Sequence, residues 1–295
     1  MVFLCTGNYN GFYIRFTIGI FMKRISVITP AYFAKPFIGA TIQSAFSQKL
    51  PTGIEIEHIV ISDDLQDYRE FAKVGPQYRM FFSATGSRGA GPSVARNVGM
   101  RMATGEFITF LDADDLWDPD RVARLLPDAD AVGAATCRMR VAHPGEGDGR
   151  PILPFVGDIT PTQVLQIHGG FCPIYRREFA EHGWQEDIRF AEDVVFNLRA
   201  TLGAGVLRVL DAPLMTYTVR SSSLSHAMPD ACIQADAAYT QFLEAMQDWS
   251  WLPDDLRSAF RHQVAEKRRI NLEYLGAWGN DSSLTFEKFI DRVGS

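Results

Sequence analysis

A chain of 295 residues with 46% apolar and 22% charged side chains has ordinary globular composition, enough for one large α/β domain with an appendage or for two modest domains. Its formal net charge of −6 argues against a general nucleic-acid binder. The four cysteines, Cys5, Cys137, Cys172 and Cys232, are scattered without a CxxC pair, which suggests neither a zinc knuckle nor a disulfide framework and fits a reducing, cytoplasmic setting.

Residues 1–22 are apolar but lack a basic start, and Asn8, Asn10 and Arg15 interrupt any run of the length a spanning helix needs. They read as an N-terminal extension, with Met22 a candidate natural start. Ile25 to Pro30 is a short apolar strand stopped by proline, and Phe37, Ile38, Thr41, Ile42, Ala45 and Phe46 recur at helical spacing. Ile54 to Ser62 is a second strand with Asp63 and Asp64 at its end, so a parallel pair with a right-handed crossover is expected. Tyr78 to Ser83 reads as a third strand. A glycine-rich loop at 86–93 opens a helix over 94–103, and Phe107 to Leu111 is a buried strand tipped by Asp112, Asp114 and Asp115.

Asp118 before Pro119 has the form of an N-cap with proline at the first helical position, launching a helix through Leu126. A strand is expected within 129–141 and a surface loop over 143–151. Thr160-Pro161 repeats the cap signal for a helix ending near Gly169-Gly170. Phe171 to Tyr175 reads as a strand, 176–182 as a short helix, and 192–203 as a helix with acids in its first turn and glycine at its end. Two closing strands, 206–210 and 214–219, precede a helical region running from Pro229, with apolar spacing at Ile233, Ala237, Tyr239, Phe242 and Met246.

Like charges as close as Asp112, Asp114 and Asp115 raise one another's pKa, so the cluster costs stability unless a cation offsets it. In extended chain, side chains two apart point the same way, which lets Asp112 and Asp114 face one Mg²⁺ or Mn²⁺ ion. An isolated DxD of this kind is more often a solvated acidic turn. A calcium loop starting at Asp112 fails, because Trp117 and Ala123 stand at its sixth and twelfth positions. A phosphatase DxDx[TV] motif is also a poor match, with Leu116 at the hydroxyl position.

The wider context is more specific. The run G91PSVARNVGMRMATGEFITFLDADD115, the first strand RISVITPAY, and the block G169GFCPIYRREFAEHGWQEDIRFAEDVVFNLRA200 together resemble the family 2 glycosyltransferases, over about Lys23 to Ser225. The resemblance implies a GT-A α/β fold, a mixed Rossmann-like sheet flanked by helices, as a catalytic domain over 23–225 with a helical C-terminal region over 226–295. It implies that Pro30, Ala31 and Tyr32 line the base and ribose pocket and that Asp63 or Asp64 meets the base. Arg96 would approach the nucleotide, Asp112 and Asp114 would serve the ribose and the metal-bound diphosphate, and His226 would join them at the metal. Asp193 would be the general base on the acceptor side, with Gly170, Glu192 and Trp184 beside it.

An inverting transfer from a nucleotide sugar, UDP-linked by preference, to a glycan or lipid-linked acceptor follows from that resemblance. A divalent metal is the implied cofactor, and bacterial polysaccharide or cell-surface glycan synthesis the implied setting. The competing class is a non-catalytic nucleotide-sugar or glycan-binding module. Trp117 and Trp184 are candidate sugar-stacking surfaces. The basic helical segment 257–269 suits anionic lipid or a homodimer contact, hence a cytoplasmic protein peripheral at the inner face of the cell membrane.

Overall fold

The computed structural model describes residues 4–9, 12–17, 22–143, 151–188, 190–220 and 228–293. Strands β1 (Leu4–Tyr9) and β2 (Phe12–Thr17) pair antiparallel as a two-stranded sheet separate from the main one. The main domain then runs β3 (Lys23–Ala31), α1 (Ile38–Phe46), β4 (Ile54–Ser62), β5 (Tyr78–Ala84), α2 (Pro92–Met102), β6 (Phe107–Phe110), β7 (Leu116–Trp117) and α3 (Arg121–Val132). It continues through β8 (Ala134–Ala142), β9 (Pro151–Ile152), β10 (Gly157–Ile159), α4 (Pro161–Leu165), β11 (Ile174–Arg176), α5 (Arg177–Ala180), α6 (Glu192–Ala204) and β12 (Leu207–Thr218). Three helices follow, α7 (Asp230–Ala245), α8 (Asp254–Asn280) and α9 (Phe286–Val293).

The ten-stranded sheet has the order β10-β12-β8-β11-β6-β3-β4-β5, with β7 added to β12 and β9 to β8. Strands β6, β3, β4 and β5 are parallel, while β11 runs antiparallel to both β6 and β8. The acid-tipped strand β6 therefore lies inside the sheet, and its C-terminal end opens where β11 reverses direction. That is the kind of position where open α/β sheets bind ligands.

Every residue of β4 is buried, including Glu55, Glu57 and His58, as expected of a parallel strand covered on both faces. The polar ones have partners. Glu57 accepts hydrogen bonds from Ser26 Oγ at 2.5 Å and Gly105 N at 2.9 Å, and from the Thr104 amide. Burial alone would raise its carboxyl, but these donors outweigh burial and hold it below the usual range. The same knot fixes the start of β6, since a Cβ on Gly105 would lie 2.6 Å from the Arg24 carbonyl oxygen.

His58 is fully buried between Thr29 Oγ1 at 2.8 Å and Tyr78 OH at 2.6 Å, and burial lowers its pKa to about 3. Between the ordinary value near 6.5 and about 3 the unfolded chain binds a proton that the native ring refuses. This group's contribution to stability is therefore complete above pH 6.5 and falls on acidification, by up to about 1.4 kcal/mol per pH unit. His58→Gln should flatten the decline in urea midpoint between pH 7 and pH 5. A variant with the wild-type slope would contradict this account.

Several elements differ from the sequence expectation. The helix after Asp118 has Asp120 as its N-cap and runs past Pro127 to Gly133, which ends it in the left-handed conformation. Burial of Val122, Leu125, Leu126 and Ala129 on one face outweighs the amide that Pro127 lacks. Residues 129–132 are consequently helical, and the strand starts at Ala134. The Thr160 capping box forms with Gln163, but its helix stops at Leu165, short of Gly169. The two expected closing strands are one, with irregular register between Leu210 and Met215. On α7 the buried face is Ala231, Cys232, Ala235, Ala238 and Phe242, while Ile233 is 59% exposed. Residues 144–150 of the expected loop lie outside the described residues.

The C-terminal helices dock through α6. Val195 and Leu198 pack with Ala238, Phe242 and Met246 of α7, Phe260 and Val264 of α8, and Trp249 and Leu252 between them. The helix bearing the Glu192-Asp193 pair is thus shared between the sheet domain and the helical region. Among the described residues no helix is long and apolar enough to cross a membrane.

Candidate active site

A cavity of about 990 Å³ runs from the C-terminal ends of β3 and β4, across the end of β6, to the inner faces of α7 and α8. Pro30, Ala31 and Tyr32 line one end, Gly170, Glu192 and Asp193 the other, and Asp112 and Asp114 lie between. Residues expected at one site but distant in sequence therefore share a single enclosure.

Arg96 joins its halves. Its guanidinium donates to Asp112 Oδ1 at 2.8 Å and to Glu192 Oε1 at 2.6 Å, and it lies 4.3 Å from the centre of the Trp184 ring. The side chain is almost wholly buried. Burial alone would lower its pKa, but the two carboxylates outweigh that and raise it. The indole's other face stacks on Phe196 at 4.1 Å. With both faces covered, Trp184 buttresses Arg96 and offers no surface to a sugar, which corrects that expectation. Trp117 is corrected likewise, being buried beneath the Arg121 guanidinium at 4.4 Å.

Of the two acids after β4, Asp63 lines the cavity and Asp64 does not. Asp64 accepts from Phe33 N at 2.7 Å, Tyr68 OH at 2.8 Å, and Gln66 N and Ser62 Oγ at 3.0 Å. Burial raises its carboxyl, yet these donors together hold it low, and its role is to brace the turn after β3. Asp63 accepts from Ala90 N at 2.9 Å, Gly91 N at 3.0 Å and Thr85 Oγ1 at 2.9 Å, which anchors the glycine-rich loop at the cavity mouth. Tyr32 stands half exposed beside that loop, its hydroxyl 3.9 Å from where a Gly89 Cβ would lie.

Asp114 is held by Arg220, whose Nε lies 2.8 Å from Oδ2 and whose Nη2 also donates to that oxygen. The Arg220 guanidinium rests 3.9 Å over the Phe37 ring. Asp115 is buried and accepts from Thr218 N at 3.0 Å. Burial first, and then the neighbouring acids, raise the pKa of both Asp114 and Asp115. The cluster thus sits in a field that favours added positive charge. Asp112 binds Arg96 through Oδ1 and Asp114 binds Arg220 through Oδ2, and a second carboxylate oxygen remains on each. Two carboxylate oxygens, completed by water and phosphate oxygens, are a donor set suited to Mg²⁺ or Mn²⁺. Among the described residues no group of three or more His, Cys, Asp or Glu side chains is disposed to hold an ion. His226 lies outside the described residues.

On the far side, Ala191 adopts a left-handed conformation with φ of 54° and turns Glu192 and Asp193 into the cavity, with no side-chain cap at that helix start. Such strain in a non-glycine residue is characteristic of functional turns. A Cβ on Gly170 would lie 3.5 Å from Asp193 Oδ2, so the backbone there packs against the carboxylate. Burial raises the pKa of Asp193, and Arg96 and Lys267 partly offset it.

Arg220 and Lys267 line the cavity and were missed by sequence reasoning. Arg220 had no local mark beyond standing at the end of a closing strand. Lys267 had one. It falls at core spacing among Phe260, Val264, Asn271 and Tyr274 on α8, and all are buried. In the basic segment around it, Arg257 donates to the Met246 and Trp249 carbonyls, Arg268 pairs with Asp236 and Arg269 with Glu266 and Glu273, while Arg261 and His262 are exposed.

The family model described as glycosyl transferase family 2 matches residues 26–184. The chain belongs to this glycosyltransferase family. It is 28% identical over 238 residues, 73% of its length, to the succinoglycan biosynthesis protein ExoO of Rhizobium meliloti. It spans about two thirds of the length of the curated relatives it matches, 62% and 67% for two of them. Staphylococcus aureus TarS residues 1–349, solved in complex with UDP-GlcNAc, superimposes with a TM-score of 0.62 at 22% identity, over 84% of this chain and 72% of that one. The mannosyltransferase PcManGT of Pyrobaculum calidifontis, solved with GDP-Man and Mn²⁺, gives 0.59 at 20% identity, over 92% and 80%. The fold of this family 2 member is therefore GT-A.

Proposed function

We propose that the protein is an inverting glycosyltransferase that moves a sugar from a nucleotide-diphosphate sugar, UDP-linked by preference, to a hydroxyl of a glycan or lipid-linked acceptor. Synthesis of a bacterial polysaccharide or cell-surface glycan is the setting in keeping with the ExoO relative. The observation that carries the reading is the single cavity in which Arg96 ties the DxD acids to the Glu192-Asp193 pair. A non-catalytic nucleotide-sugar binder would use the acid cluster for its ligand but has no use for the Asp193 carboxylate across the same space.

In this reading the nucleotide lies against Pro30, Ala31 and Tyr32, with Asp63 toward the base. Asp112 and Asp114 would hold Mn²⁺ or Mg²⁺, which would supply positive charge to the leaving diphosphate. Arg220, already at the acid cluster, adds a planar donor fork to phosphate oxygens. Asp193 accepts the proton of the acceptor hydroxyl. The acceptor oxygen then bonds to the anomeric carbon as the bond to the diphosphate oxygen breaks and its electron pair leaves with the diphosphate. Attack and departure on opposite faces invert the centre. The raised pKa of Asp193 suits a base, because proton transfer improves as the base's pKa approaches working pH.

The test is a thermal-shift panel of UDP, GDP, dTDP and CDP with and without Mn²⁺. A nucleotide at a hundred times its Kd stabilises the folded state by about 2.7 kcal/mol. A manganese-dependent shift with one nucleotide is expected, and Asp114→Ala should remove its manganese-dependent part. No shift with any nucleotide would move the protein to the class of non-catalytic modules, and an undiminished shift in Asp114→Ala would sink the metal role.

A further inference from the structure

The cavity is lined, among the described residues, by the cations Arg96, Arg220 and Lys267. The first is committed to Asp112 and Glu192, the second to Asp114. The third, Lys267, lines the same cavity as Asp193. Lys267 comes from α8, is 4% exposed, and donates through Nζ to the carbonyl of Ile167. Ile167 begins the turn that brings Gly170 against the Asp193 carboxylate. One ammonium thus grips the backbone that packs on Asp193 while lying in the field of that carboxylate, which in turn holds up a lysine pKa that burial has lowered to about 8.

A buried ammonium with one carbonyl partner is costly, and a methionine would fill the same space on α8 without that cost. The charge is explained by the carboxylate opposite. We infer that Lys267 is a positioning residue for Asp193, its counter-ion and the clamp on the Gly169-Gly170 turn beside it, so that the C-terminal helices complete the active site. The inference rests on the reading of Asp193 as the base, but the coupling between the two charges can be tested apart from any activity.

Lys267→Met and Lys267→Arg are made in the wild-type and Asp193→Asn backgrounds and compared by thermal unfolding. Lys267→Met should lower Tm in the wild-type background and change it far less beside Asp193→Asn, where no carboxylate is left alone. The same variants are then assayed for slow hydrolysis of the sugar nucleotide carrying whichever base gives the thermal shift, with water as acceptor. Lys267→Met should lower kcat about tenfold or more with the donor KM unchanged, and Lys267→Arg should recover most of it. Equal losses of Tm in both backgrounds, or a wild-type kcat in a folded Lys267→Met protein, would overturn the inference. A wild-type protein that binds none of the nucleotides overturns the proposed function instead, and the unfolding comparison alone then decides the pair.

Discussion

Asp193→Asn is expected to lower sugar transfer by about 10²–10⁴-fold while nucleotide affinity stays within twofold of wild type, both roughly the range set by losing one general base. The substitution keeps the shape of the side chain and removes its capacity to take a proton. It lies across the cavity from the residues proposed to meet the nucleotide, and Arg96 donates to Asp112 and Glu192, so the donor half has no reason to rearrange. Single-turnover transfer and equilibrium nucleotide binding, measured on the same preparation, separate the two effects. Transfer at the normal rate would remove Asp193 from the mechanism.

The second large effect is on folding. Arg96→Met should destabilise the protein by about 3–5 kcal/mol, the cost of stripping a buried charge from its partners. The lost guanidinium leaves Glu192 uncompensated in the interior, leaves Asp112 among like charges, and uncovers one face of Trp184. Methionine retains much of the volume, so the loss measures charge rather than cavity. Urea unfolding at pH 7 gives the value directly. A loss below about 1 kcal/mol would mean that the two ion pairs contribute no more than a surface bridge does.

What could be read from the sequence follows from how local each signal was. Strand and helix positions through Phe110 rested on unbroken apolar runs and on turns marked by Pro30, Gly53 and Gly105, and these act over a few residues. Pro127 misled because its local cost is set against the burial of Leu125, Leu126 and Ala129, which only the folded chain contains. The gathering of Arg96, Asp112 and Asp193 was expected from family resemblance and not from spacing. Trp184 illustrates the limit: its chemistry suits a sugar face, but whether either face is open depends on Phe196 and Arg96, which arrive from different helices. Lys267 was hidden among surface-like charges because helical phase, not composition, decides which of four adjacent charged residues turns inward.

Three of the polar contacts at the cavity join distant parts of the chain. Arg96 and Glu192 are 96 residues apart, Asp114 and Arg220 are 106, and Ile167 and Lys267 are 100. Each closes a long loop, so each must wait for chain entropy to be overcome by cores that form over shorter spans. The complete cavity is therefore a late product of folding, absent from any partly folded species in which the sheet alone has assembled. A ribosome-bound fragment ending before α8 would hold the strands and the DxD acids, yet lack Lys267 and its clamp on the Ile167 carbonyl.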